Sequence, residues 1–232
     1  MTAALAHRGP DGSGLYADEG AGIALGHRRL AVLDLSEAAS QPMRSRCGRY
    51  VLSYNGEVYN FAQLREELGG SDRFEGTGDT EVVLACIERY GAVEAARRFV
   101  GMFAFALWDA RERTLTLVRD RLGIKPLYVG RVGGDLAFAS ELAGPRALEG
   151  FEPAIDLESL ALYLRYGCVP QERCIYVGWS KVGPGEALCF SSPDQRPHRV
   201  RYWSAAQVVG RGRADPLRLS DAEAIERVEA GL

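Results

Sequence analysis

The stretch SYNGEVYN, residues 53–60, carries polar groups that have no evident structural task. Asn-Gly after an apolar run usually forms the turn of a β-hairpin. Here only four residues, 57–60, separate Gly56 from the helical pattern FAQLREEL. A returning strand of that length is too short to pair. Asn55 and Gly56 therefore end a strand without turning it, and they need another role.

Three charged residues are further candidates for chemistry, although each has an ordinary interpretation when it is taken alone. Arg29 lies at a strand start, where most arginines are solvated or extend along an apolar surface. Glu57 alone is a surface acid, and Asp79 alone is the N-cap of a helix, a position it can hold while also binding a ligand. His7 is interpreted as a hydrogen-bonded structural histidine, without a chemical role.

The cysteines give no sign of a metal centre or a disulfide framework. They number five, an odd count, and no Cys-x-x-Cys pair occurs. This usage favours a reducing, cytoplasmic compartment and no metal site. Cys86 falls on an apolar helix face and is expected in the core.

Composition excludes several classes of function. The 232 residues are 47% hydrophobic and 25% charged, which is typical of one large globular domain or a domain with a tail. The 28 basic and 31 acidic residues are spread evenly, so no basic stripe indicates a nucleic acid or an anionic lipid. The longest apolar run, 100–108, is far shorter than the roughly 20 residues that span a bilayer.

The first half of the chain alternates short strands with amphipathic helices. Strands are predicted at 22–25 and 29–35, on either side of Gly26, and at 49–54. A helix follows with Asn60 as N-cap and Gln63 three residues on. Two more helices are predicted at 80–90, ended by Gly91, and at 92–99.

The segment GMFAFALWDARERTLTLVRDRLGIKPLYVG predicts an antiparallel meander. Both faces of the strand 101–109 are apolar, so both must be covered and the strand must be internal. Strand 114–119 returns, and a hairpin around Gly133-Gly134 joins 127–130 to 136–140. Arg119, Asp120 and Lys125 are expected to form a structural ion-pair cluster. The sequence therefore predicts an α+β fold with two stacked antiparallel sheets between helical layers.

The C-terminal part is predicted to extend this domain and then leave it. Asp156 caps a helix that Gly167 ends, and short strands follow. Ser220 and Glu223 form the capping-box pattern of a final helix. We expect one domain over residues 1–203, with 204–232 as a linker and the start of a second domain.

Six motifs in one order resemble the glutaminase domain of class II glutamine amidotransferases. They are HRGPDGSG (7–14), LGHRRLAVLDLS (25–36) with QPM, YNGEVYNF (54–61), GTGDTEV (76–82), GMFAFALWD (101–109) and RDRLGIKPLY (119–128) with FASEL. Within that family the chain is most similar to the glutamine-hydrolysing asparagine synthetases, from His7 to about Trp203.

The resemblance implies an N-terminal-nucleophile hydrolase fold, a four-layer αββα sandwich of two antiparallel sheets. In such enzymes a cysteine at the mature N-terminus attacks the side-chain amide carbon of glutamine, with its own α-amino group as base. Asn55 and Gly56 match the positions whose side-chain and backbone N–H groups form the oxyanion hole. A side chain at Gly56 would crowd the approaching carbonyl.

The resemblance also implies the residues that bind glutamine. Arg29 matches the arginine that binds the α-carboxylate, and Arg28 beside it is expected to point to the other face. Glu57 and Asp79 match the acids that bind the α-ammonium. Leu30 and Val32, predicted on the same strand as Arg29, would line the pocket wall.

The sequence departs from the family pattern at both ends. The family's opening Met-Cys-Gly-Ile and its strand would lie well before His7, so the first strand and the nucleophile are expected to be missing. The Ser-Gly-Gly-x-Asp-Ser loop of the synthetase domain is absent too. ATP and magnesium are therefore expected to bind only in a missing synthetase domain, and this domain is expected to need no cofactor. Thr2 lies too close to His7 to replace the nucleophile.

Two hypotheses of different classes follow. The favoured one is a glutamine amidotransferase domain of an asparagine synthetase-like enzyme, hydrolysing glutamine for ATP-dependent amide synthesis, with a chain that starts late. The alternative is a non-catalytic module that binds glutamine or docks on a synthetase partner. The expected partners are glutamine and an ammonia-accepting synthetase domain, and a homodimer is also possible. Neither a nucleic acid nor a membrane is expected as a partner. The amide acceptor stays open.

Overall fold

The computed structural model describes residues 1–32, 34–70, 73–170 and 172–231. The chain divides into two compact units, Met1–Tyr202 and Trp203–Leu232. The strands are β1 (Gly12–Asp18), β2 (Ile23–Arg29), β3 (Met43–Arg44), β4 (Tyr50–Val58), β5 (Gly101–Asp109), β6 (Thr114–Arg119), β7 (Tyr128–Val132), β8 (Asp135–Ala139), β9 (Ser180–Lys181), β10 (Glu186–Phe190) and β11 (His198–Arg201).

The helices complete the first unit and make up the second. The first unit contains α1 (Phe61–Glu67), α2 (Thr80–Tyr90), α3 (Ala92–Arg98), α4 (Ala143–Arg146) and α5 (Leu157–Tyr166), with short 3-10 helices at Thr2–Arg8 and Glu37–Ala39. The second unit contains α6 (Ala205–Ala214), which the sequence did not predict, and α7 (Asp221–Glu229). Among the described helices, none is long and apolar enough to cross a membrane.

Three antiparallel sheets form the framework. The largest has the strand order β11-β10-β6-β5-β4-β3, so β5 is internal, as its two apolar faces predicted. The two smaller sheets are β1-β2 and β8-β7-β9. In the large sheet Asn55 of β4 lies opposite Ala104 of β5, and Gly56 lies opposite Phe103.

The sheets stack face to face around one main core. Leu25 of β2 and Val129 of β7 pack in the same buried cluster as Ala106 and Leu117 of the large sheet. Helices α2 and α3 contact β4 and β6, and a smaller core that includes Trp179 packs beside β7 and β8. This arrangement confirms the predicted α+β sandwich, because burial of both faces of β5 requires a second sheet on one side and helices on the other.

Two strand predictions were wrong at their ends. β2 is one strand, Ile23–Arg29, that continues through Gly26 and stops at Arg29, where 29–35 was predicted to begin. That predicted strand includes Leu33, which lies outside the described residues. β4 does not end before Asn55 but runs to Val58, because β5 pairs with it as far as Gly101.

Helix ends follow the predicted caps only in part. Asp156 accepts a hydrogen bond from Ser159 N, and Ser220 and Glu223 form the predicted capping box. Asn60 holds the predicted N-cap position of α1 but makes no side-chain capping bond, because its side chain binds the backbone of Arg98 and Val100 instead. A contact between residues far apart in sequence thus uses a side chain that the local sequence had assigned to capping a helix.

The predicted ion-pair cluster at the β6–β7 turn is a set of backbone contacts. The Arg119 guanidinium donates to the carbonyls of Lys125, Val182 and Gly123 at 2.8, 2.8 and 2.6 Å. The Asp120 carboxylate accepts from Lys125 N at 2.9 Å. Both side chains are buried, so they satisfy turn groups that solvent does not reach.

Candidate active site

The edge of β4 that faces away from β5 carries three N–H groups in a row. Tyr54 N donates to Gln41 Oε1 at 2.7 Å, and Val58 N donates to Asp79 Oδ2 at 2.9 Å. N–H groups two residues apart on a strand point to the same side, so Gly56 N–H lies on this edge between them. No described residue accepts a hydrogen bond from Gly56 N–H at this edge.

Gly56 is a glycine because β5 passes very close to it. A Cβ at this position would lie 2.4 Å from Met102 O and 2.7 Å from Phe103 Cα. Contacts of that length require the strand backbone to move. The structure therefore gives a reason for glycine that differs from the predicted crowding of a substrate carbonyl, and the two reasons are compatible.

The Asn55 side chain lies on the face of β4 that looks toward β2. Alternation along the strand places it on the same side as Ser53, whose hydroxyl donates to Gly26 O at 3.2 Å. Asn55 lines a large cavity on that side. Within the described part of the chain its side-chain amide has no hydrogen-bond partner. Asn55 and Gly56 thus present two adjacent unused donors.

Asp79 is buried and is held against β4. Its Oδ2 accepts hydrogen bonds from Tyr54 Oη at 2.5 Å and from Val58 N at 2.9 Å. The carboxylate makes no capping bond to α2, so the prediction that it also caps this helix was wrong for the side chain. Burial, with the nearby Asp79 charge, raises the pKa of Tyr54, which therefore stays a neutral donor.

Arg29 ends β2 and reaches the loop that follows it. Its Nη2 donates to Asp34 O at 2.7 Å and to Ser36 O at 2.8 Å. Among the described residues, its Nε and Nη1 have no acceptor, so part of the guanidinium fork is available. Arg28 points elsewhere, and its Nε donates to Gly9 O at 3.0 Å.

Asp34 joins the Arg29 loop to the GTGDTE turn, a role that was not predicted. Its carboxylate accepts hydrogen bonds from the backbone N–H groups of Ser36, Thr77 and Gly78 at 2.8, 2.7 and 3.3 Å. Hydrogen bonds from the side chain and then the backbone of Ser36, followed by those from Thr77 and Gly78, hold the pKa of Asp34 well below its usual range. An acid inside the apolar stretch LAVLDLS is the signal that could have found it.

The remaining predicted residues are less well placed. Leu30 and Val32 lie beyond the end of β2 and are 60% and 71% exposed, so the prediction that they share a strand with Arg29 was wrong. Glu57 lies opposite Met102 on the Asn55 face of β4 and has no partner among the residues described. Asp79 binds at the strand edge instead, so the structure does not bring the two acids into contact.

The cavity beside Asn55 has a volume of about 1140 Å³. Of the predicted site residues it is lined by Asn55, and none of the five cysteines, all of them described, lies on its wall. Cys86 is buried as predicted, and burial raises its pKa to about 11. The described residues include no group of three or more His, Cys, Asp or Glu side chains that would hold a metal ion.

Comparisons with known proteins identify the family of this chain. Residues 1–203 match the family model described as a glutamine amidotransferase domain. The chain is 38% identical over 186 residues to asparagine synthetase [glutamine-hydrolyzing] 1 of Bacillus subtilis, covering 80% of this chain and 29% of that protein. It is 33% identical over 221 residues to putative asparagine synthetase [glutamine-hydrolyzing] 2 of Methanocaldococcus jannaschii, covering 88% and 42%.

The fold is shared with a solved amidotransferase. Glutamine phosphoribosylpyrophosphate amidotransferase of B. subtilis superposes with a TM-score of 0.52 at 24% identity, over 77% of this chain and 34% of that one. The chain thus spans less than half the length of each protein compared. Its family match covers the sandwich and the free edge of β4, and the chain belongs to the glutamine amidotransferase domain family.

Proposed function

We propose that this domain binds glutamine at the free edge of β4 and serves its hydrolysis to glutamate and ammonia. The observation that carries the proposal is the pair of unused donors at Asn55 and Gly56, held between two occupied N–H groups of the same strand. Rigid strand geometry suits such donors, because they need no reorganisation when charge develops.

The proposed chemistry uses these donors on the glutamine side-chain amide. Attack of a nucleophile on the amide carbon converts the planar carbonyl into a tetrahedral oxyanion. Asn55 Nδ2–H and Gly56 N–H stabilise that negative charge, and loss of one such donor typically lowers the rate by about 10² to 10³. Collapse of this intermediate breaks the C–N bond, so that ammonia leaves with the proton of the nucleophile and the acyl group stays on the nucleophile. Water then adds to the acyl carbon, the bond to the nucleophile breaks, and glutamate is released.

Charge complementarity supports glutamine as the ligand. The free part of the Arg29 fork suits an α-carboxylate, since guanidinium binds carboxylates through two parallel N–H groups. Asp79 and Glu57 are the acids proposed for the α-ammonium, Asp79 through the oxygen that Tyr54 and Val58 leave free. Leu30 and Val32, which follow Arg29 in the chain, stay proposed as apolar residues of the pocket wall.

A role in amide synthesis is proposed from the relatives of this chain. The relatives named above are asparagine synthetases, of whose length this chain spans 29% and 42%. Ammonia released here would pass to a synthetase region that uses ATP and magnesium to form an amide, and the domain itself needs no cofactor. A cytoplasmic location suits such a biosynthetic step.

The positions of the cysteines bear on whether this chain can hydrolyse the glutamine that it binds. Cys174 is buried in the second core, and Cys47 Sγ donates to Glu88 Oε1 at 2.9 Å. Since none of the five cysteines lines the cavity beside Asn55, we expect the 232-residue chain to bind glutamine without hydrolysing it. Steady ammonia release that survives Thr2→Ala would contradict this, and would favour a nucleophile that the chain itself supplies.

Glutamine binding is tested by replacing each of two neighbouring arginines with alanine. Arg29→Ala is expected to weaken glutamine binding in calorimetry by about 10-fold to 100-fold, since a hydrogen bond to a charged group contributes about 1.5 to 3 kcal/mol. Arg28→Ala is the matched control, because that side chain binds Gly9 O, and it should leave affinity unchanged. Equal glutamine affinities for both variants would mean that the α-carboxylate of glutamine does not bind to Arg29.

A further inference from the structure

The GTGD bend, residues 76–79, is held in place by charged side chains. Among the described residues, no main-chain carbonyl accepts a hydrogen bond from the N–H groups of its first three residues. Carboxylates accept these bonds instead. Glu81 Oε2 accepts from the first N–H at 2.6 Å, and Asp34 Oδ2 accepts from the second and third at 2.7 and 3.3 Å. Each of the three N–H groups thus has an acidic side chain as its acceptor.

A guanidinium binds the same bend from its carbonyl side. Nη2 of Arg65, a residue of α1, donates to Gly76 O and to Gly78 O at 3.0 Å each. The guanidinium carbon of Arg65 lies 5.0 Å from the centre of the Phe74 ring, a contact that restricts where this side chain can lie. Negative groups therefore face the N–H groups of the bend and a positive group faces its carbonyls, so charge-assisted bonds hold the main chain from two sides.

The two glycines of the bend leave room for Asp34. A Cβ at Gly76 would lie 2.7 Å from Asp34 Oδ2, and a Cβ at Gly78 would lie 3.2 Å from Asp34 Cβ. Asp34 itself is only 8% exposed. The Gly-x-Gly spacing of the bend is therefore fitted to one buried side chain from a distant part of the sequence.

Asp34 also holds Arg29, through its main chain. Its carbonyl oxygen accepts from Arg29 Nη2 at 2.7 Å, while its carboxylate holds the bend that ends at Asp79. One residue thus links the group proposed for the α-carboxylate of glutamine to an acid proposed for the α-ammonium. Both charges of glutamine are attached to the same carbon atom, so the two binding groups must keep a fixed separation to contact it together.

We propose that Asp34 and Arg65 are positioning residues, which hold Asp79 at the separation from Arg29 that an α-amino acid requires. This inference rests on the proposed glutamine site. Neither positioning residue is assigned a contact with the ligand, because both act through the main chain of the bend. The site should therefore prefer ligands that carry both charges, and this preference should depend on both residues.

The first test needs no ligand. Val58 N donates to Asp79 Oδ2 at 2.9 Å, so exchange of this amide hydrogen reports how firmly Asp79 is held. Asp34→Ala and Arg65→Met each remove one set of bonds to the bend. Each is expected to speed the exchange at Val58, followed by NMR, by on the order of tenfold. Unchanged exchange at Val58 in either folded variant would overturn the proposal.

Each variant has a matched control that removes a similar bond elsewhere. Asp18→Ala removes a carboxylate that accepts from Ala21 N at 3.0 Å, in the turn between β1 and β2. Arg73→Met removes a guanidinium that donates to Leu68 O at 2.8 Å, outside the bend. Neither control should alter exchange at Val58, and circular dichroism checks that all variants fold. Equal acceleration in a control would mean a general loss of stability and would overturn the proposal.

The second test compares two ligands in NMR titrations. Glutaramate is glutamine without its α-amino group, so it keeps the carboxylate for Arg29 and offers Asp79 no partner. Arg65 donates to the bend and not to the loop that holds Arg29. Arg65→Met is therefore expected to weaken glutamine binding by about tenfold and to change glutaramate binding by less than about twofold. Equal effects on the two ligands would overturn the positioning role. This variant carries the test alone if Asp34→Ala does not fold.

The two proposals fail in different ways. If the parent chain binds neither ligand, the proposed glutamine site is wrong and this inference falls with it, even where exchange at Val58 responds as expected. If the parent chain binds glutamine and exchange at Val58 is the same in Asp34→Ala and Arg65→Met as in the parent, the glutamine site stands and only the positioning role is lost.

Discussion

The Tyr54 hydroxyl donates a hydrogen bond of 2.5 Å to Asp79 Oδ2, which joins the N-cap residue of α2 to the middle of β4. Both groups are buried, so neither exchanges this bond for one with water. The same oxygen also accepts Val58 N. The bond therefore fixes which carboxylate oxygen of Asp79 remains for a ligand, and it does so from a tyrosine that lies within the YNGE motif.

Removal of this hydroxyl should cost stability. Tyr54→Phe leaves a buried carboxylate short of one donor, so we expect the free energy of unfolding in urea to fall by about 1 to 3 kcal/mol. Tyr59→Phe is the matched control because Tyr59 is 55% exposed, and it should change stability by less than about 0.5 kcal/mol. Similar losses in both variants would mean that the Tyr54–Asp79 bond contributes little.

A methyl group at Gly56 should be poorly tolerated. In Gly56→Ala the new Cβ would meet Met102 O at 2.4 Å, and β4 and β5 must separate to relieve it. Overpacking of this kind typically costs about 1 to 3 kcal/mol, which urea unfolding would show. Gly20→Ala is the control, since its Cβ would meet only Asp18 Oδ1 at 3.6 Å, and equal effects would contradict the steric argument.

His27 should make stability depend on pH. Burial first, and the Arg29 charge second, lower the pKa of His27 to about 4. The unfolded chain, with an ordinary histidine pKa of about 6.5, binds this proton more readily, so stability should decrease as pH falls from about 6.5 to about 4, by at most about 3 kcal/mol.

The histidine effect is measured by urea unfolding at several pH values. His27→Gln removes the titration, and the decrease over this range should become smaller. His198→Gln replaces an exposed histidine and should keep the decrease seen in the parent chain. A parent-like decrease in His27→Gln would assign the pH effect to other groups.

The fold was predictable where local pattern and tertiary packing agree. The two apolar faces of β5 predicted an internal strand, and the positions of Asp156, Gly167 and Ser220 predicted helix ends. The sequence pattern was less successful where a side chain had a distant partner. Asn60 was predicted as a cap but binds the α3–β5 connection.

The candidate site was also predictable only in part from the sequence. The types of Arg29, Asn55, Gly56 and Asp79, together with their motifs, identified them as candidates, but they did not reveal how each is held. Asp34 and Gln41 went unnoticed because their partners, Thr77 and Tyr54, are distant in sequence. Leu30 and Val32 were assigned to a strand that β2 does not continue into.

The sequence by itself determined the family and the α+β sandwich, because ordered motifs and hydrophobic periodicity are properties of the chain read in one dimension. Only the tertiary structure decided that Asn55 and Gly56 lie inside a long strand, with Gly56 N–H on its free edge. Strand pairing is set by contacts between residues far apart in sequence, here between β4 and β5. Which N–H groups remain unpaired is therefore a property of the folded sheet.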